Sequence, residues 1–126
     1  MPNKKTVLCV DDNAANLRLL EGMFKMRSHL QVLSAATPEE GLELALAHHP
    51  DLILLDISMP RLDGYEVLSR LRQHATLTNT PIVAVTAKAQ LLDRMKGLAL
   101  GFNDYVTKPI DVQSLLNKVD SLLSPD

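Results

Sequence analysis

Residues 51–56 read Asp-Leu-Ile-Leu-Leu-Asp, four apolar side chains in succession closed at Asp56 by a carboxylate. An unbroken apolar run of this length, with no alternation, is the pattern of a strand buried on both faces at the centre of a helix-covered parallel sheet. Ile57, Ser58, Met59 and Pro60 follow, and Asp63-Gly64 opens a new helical pattern, so Asp56 is expected where the central strand leaves the sheet. In open α/β sheets ligands bind at that carboxyl edge. Taken alone, Asp56 is better explained as a polar strand terminus making a turn. What decides is the set of residues the rest of the chain brings to the same edge.

On the amino-terminal side, Thr6–Val10 is a second buried strand, and it runs directly into Asp11-Asp12-Asn13. A helix with Leu17, Leu20 and Phe24 on one face comes next, and Leu30–Ala35 is a more alternating run suited to an edge strand. Thr37-Pro38-Glu39-Glu40 has the form of a helix start: an N-cap threonine, proline in the first turn and a glutamate closing a capping box. Leu42, Ala45 and Leu46 form the buried face of that helix, which ends at Pro50.

Beyond the central strand, Asp63 caps a helix carrying Val67, Leu68 and Leu71. Ile82–Val85 is the fourth strand and ends on Thr86-Ala87-Lys88. A helix through Leu92, Met95 and Ala99 stops at Gly101, where a left-handed C-terminal glycine fits. Phe102–Thr107 is a short fifth strand broken by Lys108-Pro109, and Asp111 and Ser114 open a last helix that buries Leu115, Leu116, Val119, Leu122 and Leu123.

Five strands alternating with five helices through short loops imply right-handed βαβ units and one doubly wound, five-stranded parallel sheet. The expected strand order is the flavodoxin-like 2-1-3-4-5. The chain's 126 residues, 46% apolar and 22% charged, suit a single domain over residues 1–126. A formal net charge of −2 lacks the basic excess of a nucleic-acid or membrane-surface binder. Cys9, the sole cysteine, sits among Val7, Leu8 and Val10, so it reads as an inert buried thiol. No segment resembles a signal peptide or a bilayer span, which favours the cytoplasm.

Every strand-to-helix connection of such a sheet opens at one edge, so Asp11-Asp12, Asp56, Thr86 and Lys108 converge there. Three carboxylates held together repel one another, and a divalent cation resolves the conflict. Hard oxygen ligands with room left for water suit Mg²⁺ better than a transition metal. A carboxylate in that setting can attack phosphorus to form an acyl phosphate, with Mg²⁺, Lys108 and the Thr86 hydroxyl offsetting charge on the equatorial oxygens. Asp56 is the best placed nucleophile because it ends the central strand.

Val-Asp-Asp-Asn after the first strand, Leu-Leu-Asp-Ile-Ser-Met-Pro-Arg-Leu-Asp-Gly around Asp56, Val-Thr-Ala after the fourth strand and Asp104-Tyr105-Val106-Thr107-Lys108-Pro109 carry a specific resemblance. Over nearly its whole length the chain resembles a response-regulator receiver domain of two-component signalling, of the CheY-like kind. The resemblance implies that Asp56 accepts a phosphoryl group from a phosphohistidine on a sensor kinase or phosphotransfer protein. It implies that Asp12 binds Mg²⁺ directly, Asp11 largely through water and Ser58 through its main-chain carbonyl. Lys108 would pair with the phosphoryl oxygens, Thr86 would move to the phosphate, and Tyr105 would follow it inward. The Lys108-Pro109 bond is expected to be cis.

The same resemblance implies a switch that catalyses only its own phosphorylation and dephosphorylation. Its downstream effector would bind a face made by the fourth helix, fifth strand and fifth helix, with the chain a monomer or a phosphorylation-dependent dimer. Ser58 and Lys88 occupy variable positions flanking the path of attacking water, and Phe102 replaces a usually small residue, which points to tighter local packing.

Rival readings are weaker. His29, His48, His49 and His74 lack partners at metal-ligand spacing. There is no Gly-x-x-x-x-Gly-Lys phosphate loop. A flavin-binding electron carrier shares the sheet order, but Asp11-Asp12 would repel the flavin phosphate, and two Tyr, two Phe and no Trp leave little to stack on the ring. A dehalogenase-like phosphatase needs an acid two residues after its nucleophile, where Ser58 stands. A receiver-like interaction module without phosphorylation would not need all five chemical positions.

Overall fold

A computed structural model describes residues 4–57, 64–86 and 101–123. The elements run β1 (Lys5–Val10), α1 (Ala14–Lys25), β2 (Leu30–Ala35), α2 (Pro38–His48), β3 (Leu52–Asp56), α3 (Gly64–Arg72), a 3₁₀ turn (Ala75–Leu77), β4 (Ile82–Thr86), β5 (Asp104–Thr107) and α4 (Val112–Leu123). The five strands form one parallel sheet in the order β2-β1-β3-β4-β5. That is the doubly wound, flavodoxin-like architecture expected. The expected helix through Leu92, Met95 and Ala99 lies outside the described residues, as do Asp63 as a cap, Ser58 and Lys88, so the last helix is α4 here.

All five residues of β3 are buried, because helices cover both faces of the strand. Alternate residues face opposite layers. Val7, Cys9, Leu52, Leu54, Val83 and Val85 pack against α1 and α4. Leu8, Val10, Ile53, Leu55, Ile82 and Ala84 pack towards α2 and α3. Cys9 is fully buried, and burial pushes its thiol pKa far above the ordinary range, which makes it inert as expected.

The local signals act as chemistry requires. Asn13 caps α1 by accepting from the Asn16 N–H, and Thr37 caps α2 through the Glu40 N–H while Glu40 Oε1 accepts from Ala36 N. Asp111 performs the same service for α4 at Ser114 N. The buried face of α2 is narrower than expected: Gly41 and Ala45 are buried, whereas Leu42 and Leu46 are only partly so. A Cβ at Gly41 would stand 2.8 Å from Val10 Cγ2, so α2 rests with its backbone against the sheet and its leucines flank the contact. β5 begins at Asp104 rather than at Phe102, whose ring is buried in the layer holding Leu68, Leu71 and Leu77.

Two long-range contacts tie the edge of the sheet away from the strand carboxyl ends. Asp51 Oδ2 accepts from Thr6 N at 2.8 Å, holding the starts of β1 and β3 together. The Arg72 guanidinium donates to the carbonyls of Leu77, Thr78, Thr80 and Gly101 and to Asn103 Oδ1, which also accepts from Ile82 N. No helix among the described residues is long and apolar enough to cross a membrane.

Candidate functional site

Asp56 ends β3 and is 2% exposed, and Asp11, the residue after β1, is equally buried. β1 and β3 are adjacent and in register through Val10 and Leu55, so the next residues along each, Asp11 and Asp56, emerge side by side. Asp12 is exposed beside them. Carboxylate oxygens of Asp11, Asp12 and Asp56 all lie within 4.8 Å of one another. The histidines join no such group among the described residues, and His29, His48 and His49 are exposed.

Lys108 reaches this cluster from the loop after β5. Its Nζ donates to Asp56 Oδ2 at 2.9 Å and stands 3.7 Å from Asp11 Oδ2. The Lys108 N–H donates to the Thr86 carbonyl at 2.8 Å, so the turn that aims the lysine is itself tied to the end of β4. The Lys108-Pro109 peptide is cis. Burial alone would lower the lysine pKa, but the hydrogen bond to Asp56 and the charges of Asp56 and Asp11 outweigh it and raise it. Lys108 is therefore a committed cation.

Asp11 is held by two contacts that the sequence reading missed. Asn13 N donates to Oδ1 at 2.9 Å, and Asn16 Nδ2 donates to Oδ2 at 3.2 Å. The signal available was the asparagine that caps α1, followed one turn later by another. Burial raises the Asp11 pKa above its ordinary value, the Asn13 N–H opposes that, and the neighbouring Asp56 adds to it. A carboxyl held short of easy ionisation first by its burial, and then by a second buried carboxyl, marks a site short of positive charge, which one lysine only partly supplies. A hard divalent cation coordinated by oxygen fits this donor set.

Thr86 and Tyr105 sit on the other side of the sheet plane. Ile82, Ala84 and Thr86 form one row on β4, and Tyr105, paired with Ala84, packs against the layer shared with α2 and α3. Ser58, the expected main-chain ligand, lies outside the described residues.

The family model for the response regulator receiver domain matches residues 7–120. The chain belongs to the response-regulator receiver family. As a receiver it is 41% identical over 121 residues to a probable transcriptional regulator ycf27 of Cyanophora paradoxa, covering 96% of this chain and 49% of that protein. The receiver thus spans about half the length of the first such relative. It is 36% identical to the protein PilH of Pseudomonas aeruginosa, covering 94% of this chain and 97% of PilH. Among solved structures it is similar to the receiver domain of a Pseudomonas aeruginosa sensor histidine kinase, a structure with magnesium coordinated in the active site cleft. That similarity has a TM-score of 0.84 and 30% identity over 95% of this chain and 98% of the other. Membership makes this receiver a part of phosphorylation-based two-component signalling, and its acidic pocket is able to hold Mg²⁺.

Proposed function

We propose that this receiver takes a phosphoryl group onto Asp56 from a phosphohistidine of a sensor histidine kinase or a phosphotransfer protein. The observation that carries the reading is the buried Asp56 carboxylate at the end of the central strand, 2.9 Å from Lys108 Nζ and inside a three-carboxylate cluster. A carboxylate oxygen of Asp56 forms the new P–O bond as the P–N bond to the histidine breaks, and the imidazole leaves with the bonding pair and is reprotonated by solvent. Lys108 moves its hydrogen bond from the carboxylate to a phosphoryl oxygen, and Thr86 turns its hydroxyl towards another. Asp11, Asp12, Asp56 and the main-chain carbonyl of Ser58 would hold Mg²⁺. Bound there, the ion offsets negative charge on the phosphoryl oxygens.

On this reading the receiver acts on itself alone, with no independent pool of substrate. A downstream effector is taken to engage β5, α4 and the expected helix through Leu92, Met95 and Ala99, which lies outside the described residues. Incubation with acetyl phosphate and Mg²⁺ should attach one acid-labile, hydroxylamine-sensitive phosphoryl group, absent in Asp56→Asn. Stable labelling of a serine or histidine instead would overturn the assignment.

A further inference from the structure

Between α2 and α3 lies a cleft of about 230 Å³ that the phosphorylation chemistry does not use. Pro38, Leu42, Val67 and Leu71 line its apolar part. The two helices scarcely touch above it, because Gly41 seats α2 directly on Val10 and leaves Leu42 only partly covered. The volume is below that of typical small-molecule pockets, which begin near about 300 Å³, and is of the order of two large aliphatic side chains. Glu39 and Glu43, both exposed and one helical turn apart, stand on the α2 side. Neither is ion-paired among the described residues. Arg70, on the α3 side, is engaged with Glu66 at 2.9 Å, so the rim keeps a net negative charge.

The opposite face of the molecule carries the complement. Among the described residues, Leu19 and Met26 of α1 and its C-cap are 43% and 69% exposed. They lie seven positions apart on one face of the helix. Gly22 stands between them with open space where a Cβ would be, so another surface can approach the α1 backbone closely. Arg18 and Lys25, also seven apart, flank this stripe, are exposed and have no acidic partner among the described residues. Two apolar side chains beside two cations match a two-side-chain apolar cleft beside two unpaired carboxylates.

We infer that the α2/α3 cleft is a docking site for the α1 face of a second copy of this chain. The two surfaces differ, so the contact is heterologous: each copy offers one cleft and one α1 stripe, and association continues beyond a dimer unless it closes into a ring. One helix laid on one cleft is a small interface, below the about 1,200 Å² of stable complexes, so the assembly is weak and sensitive to salt.

Sedimentation velocity of the unphosphorylated full chain over a wide concentration range tests this. The average mass should rise with concentration past that of a dimer, and the rise should shrink at high salt. Glu39→Lys with Glu43→Lys, or Arg18→Glu with Lys25→Glu, should each weaken association by at least about tenfold, because each makes the two surfaces alike in charge. Combining all four substitutions restores opposite charges and should restore association, as should mixing the two double variants. A chain that stays monomeric at every concentration overturns the inference. So does association that ignores either double variant, or that the fourfold variant fails to recover.

Discussion

Tyr105 stands across the β4–β5 ladder from Ala84, and Thr86, two residues further along β4, stands opposite Thr107. Thr86 and Tyr105 are therefore diagonal neighbours on one face of the sheet, with the smallest side chain of that row between them. An inward shift of Thr86 towards a phosphorylated Asp56 changes the packing on the side of the sheet where Tyr105 lies. The phosphoryl group must favour this arrangement by a few kcal/mol to turn a mostly inactive population into a mostly active one. Thr86→Ala should leave Asp56 phosphorylation intact while reducing the phosphorylation-induced chemical-shift changes at Tyr105 and along α4. A full wild-type shift pattern in that variant, phosphorylated or bound to beryllofluoride, would contradict the coupling.

Crowding of Asp11, Asp12 and Asp56 is costly without metal, so substitutions that remove one charge should stabilise the metal-free fold. Asp12 is exposed, so Asp12→Ala should gain only a few tenths of a kcal/mol up to about 1 kcal/mol. For Asp56→Asn, relief from Asp11 competes with loss of the 2.9 Å ion pair to Lys108. Because Lys108 keeps Asp11 at 3.7 Å and an asparagine oxygen still accepts from Nζ, a net gain of about 1 kcal/mol is expected. Both variants should bind Mg²⁺ more weakly. Urea unfolding in EDTA, paired with Mg²⁺ titration, checks both signs.

The raised pKa of Asp11 has a defined consequence for stability against pH. A group whose folded pKa lies above its ordinary value of 3.8 stabilises the fold fully below that value, and loses the contribution as pH rises through the folded pKa. Lys108, raised above 10.5, behaves alike at the alkaline end. Asp11→Asn keeps a neutral side chain at every pH, so its stability relative to wild type should increase from pH 4 towards neutrality in metal-free buffer. A difference that stays flat across that range would mean that Asp11 ionises in the fold as freely as in the unfolded chain.

Two helical glycines predict opposite outcomes for the same substitution. At Gly22 a Cβ meets nothing within 4 Å, so Gly22→Ala should gain the helix propensity of alanine, roughly 0.5–1 kcal/mol. At Gly41 the new methyl would press on a buried, branched valine from 2.8 Å, and overpacking outweighs the same propensity gain. Gly41→Ala should destabilise by about 1 kcal/mol. Because Val10 precedes Asp11, it should also weaken Mg²⁺ binding, whereas Gly22→Ala should not.

The strand order, both buried layers and the edge where Asp11, Asp12, Asp56 and Lys108 meet were legible in the sequence because apolar runs and turn residues report burial and direction directly. Lys108 as an ion-paired group rather than a solvated lysine followed from topology, since every strand-to-helix connection opens at one edge. Contacts set by side-chain reach across the chain were not legible. The Asp51 carboxylate serves Thr6 N, and Asn16 holds Asp11, and neither contact leaves a mark in the hydropathy pattern. Arg72, the last residue of α3, is a third case. Nothing in hydropathy distinguishes such a residue from one in solvent, because four of its five acceptors are backbone carbonyls that any sequence supplies.

The Arg72 contacts also have a kinetic meaning. Their acceptors come from the end of the 3₁₀ turn and the residues after it, from Gly101 and from Asn103, so the set is complete only when the chain on both sides of β4 has docked. Interactions that close across 29 and 31 residues form after much of the loop-closure entropy has been lost. They therefore belong to the native side of the folding barrier. Arg72→Ala should leave the refolding rate nearly unchanged and speed unfolding, so Arg72 governs how long the folded receiver survives rather than how quickly it forms.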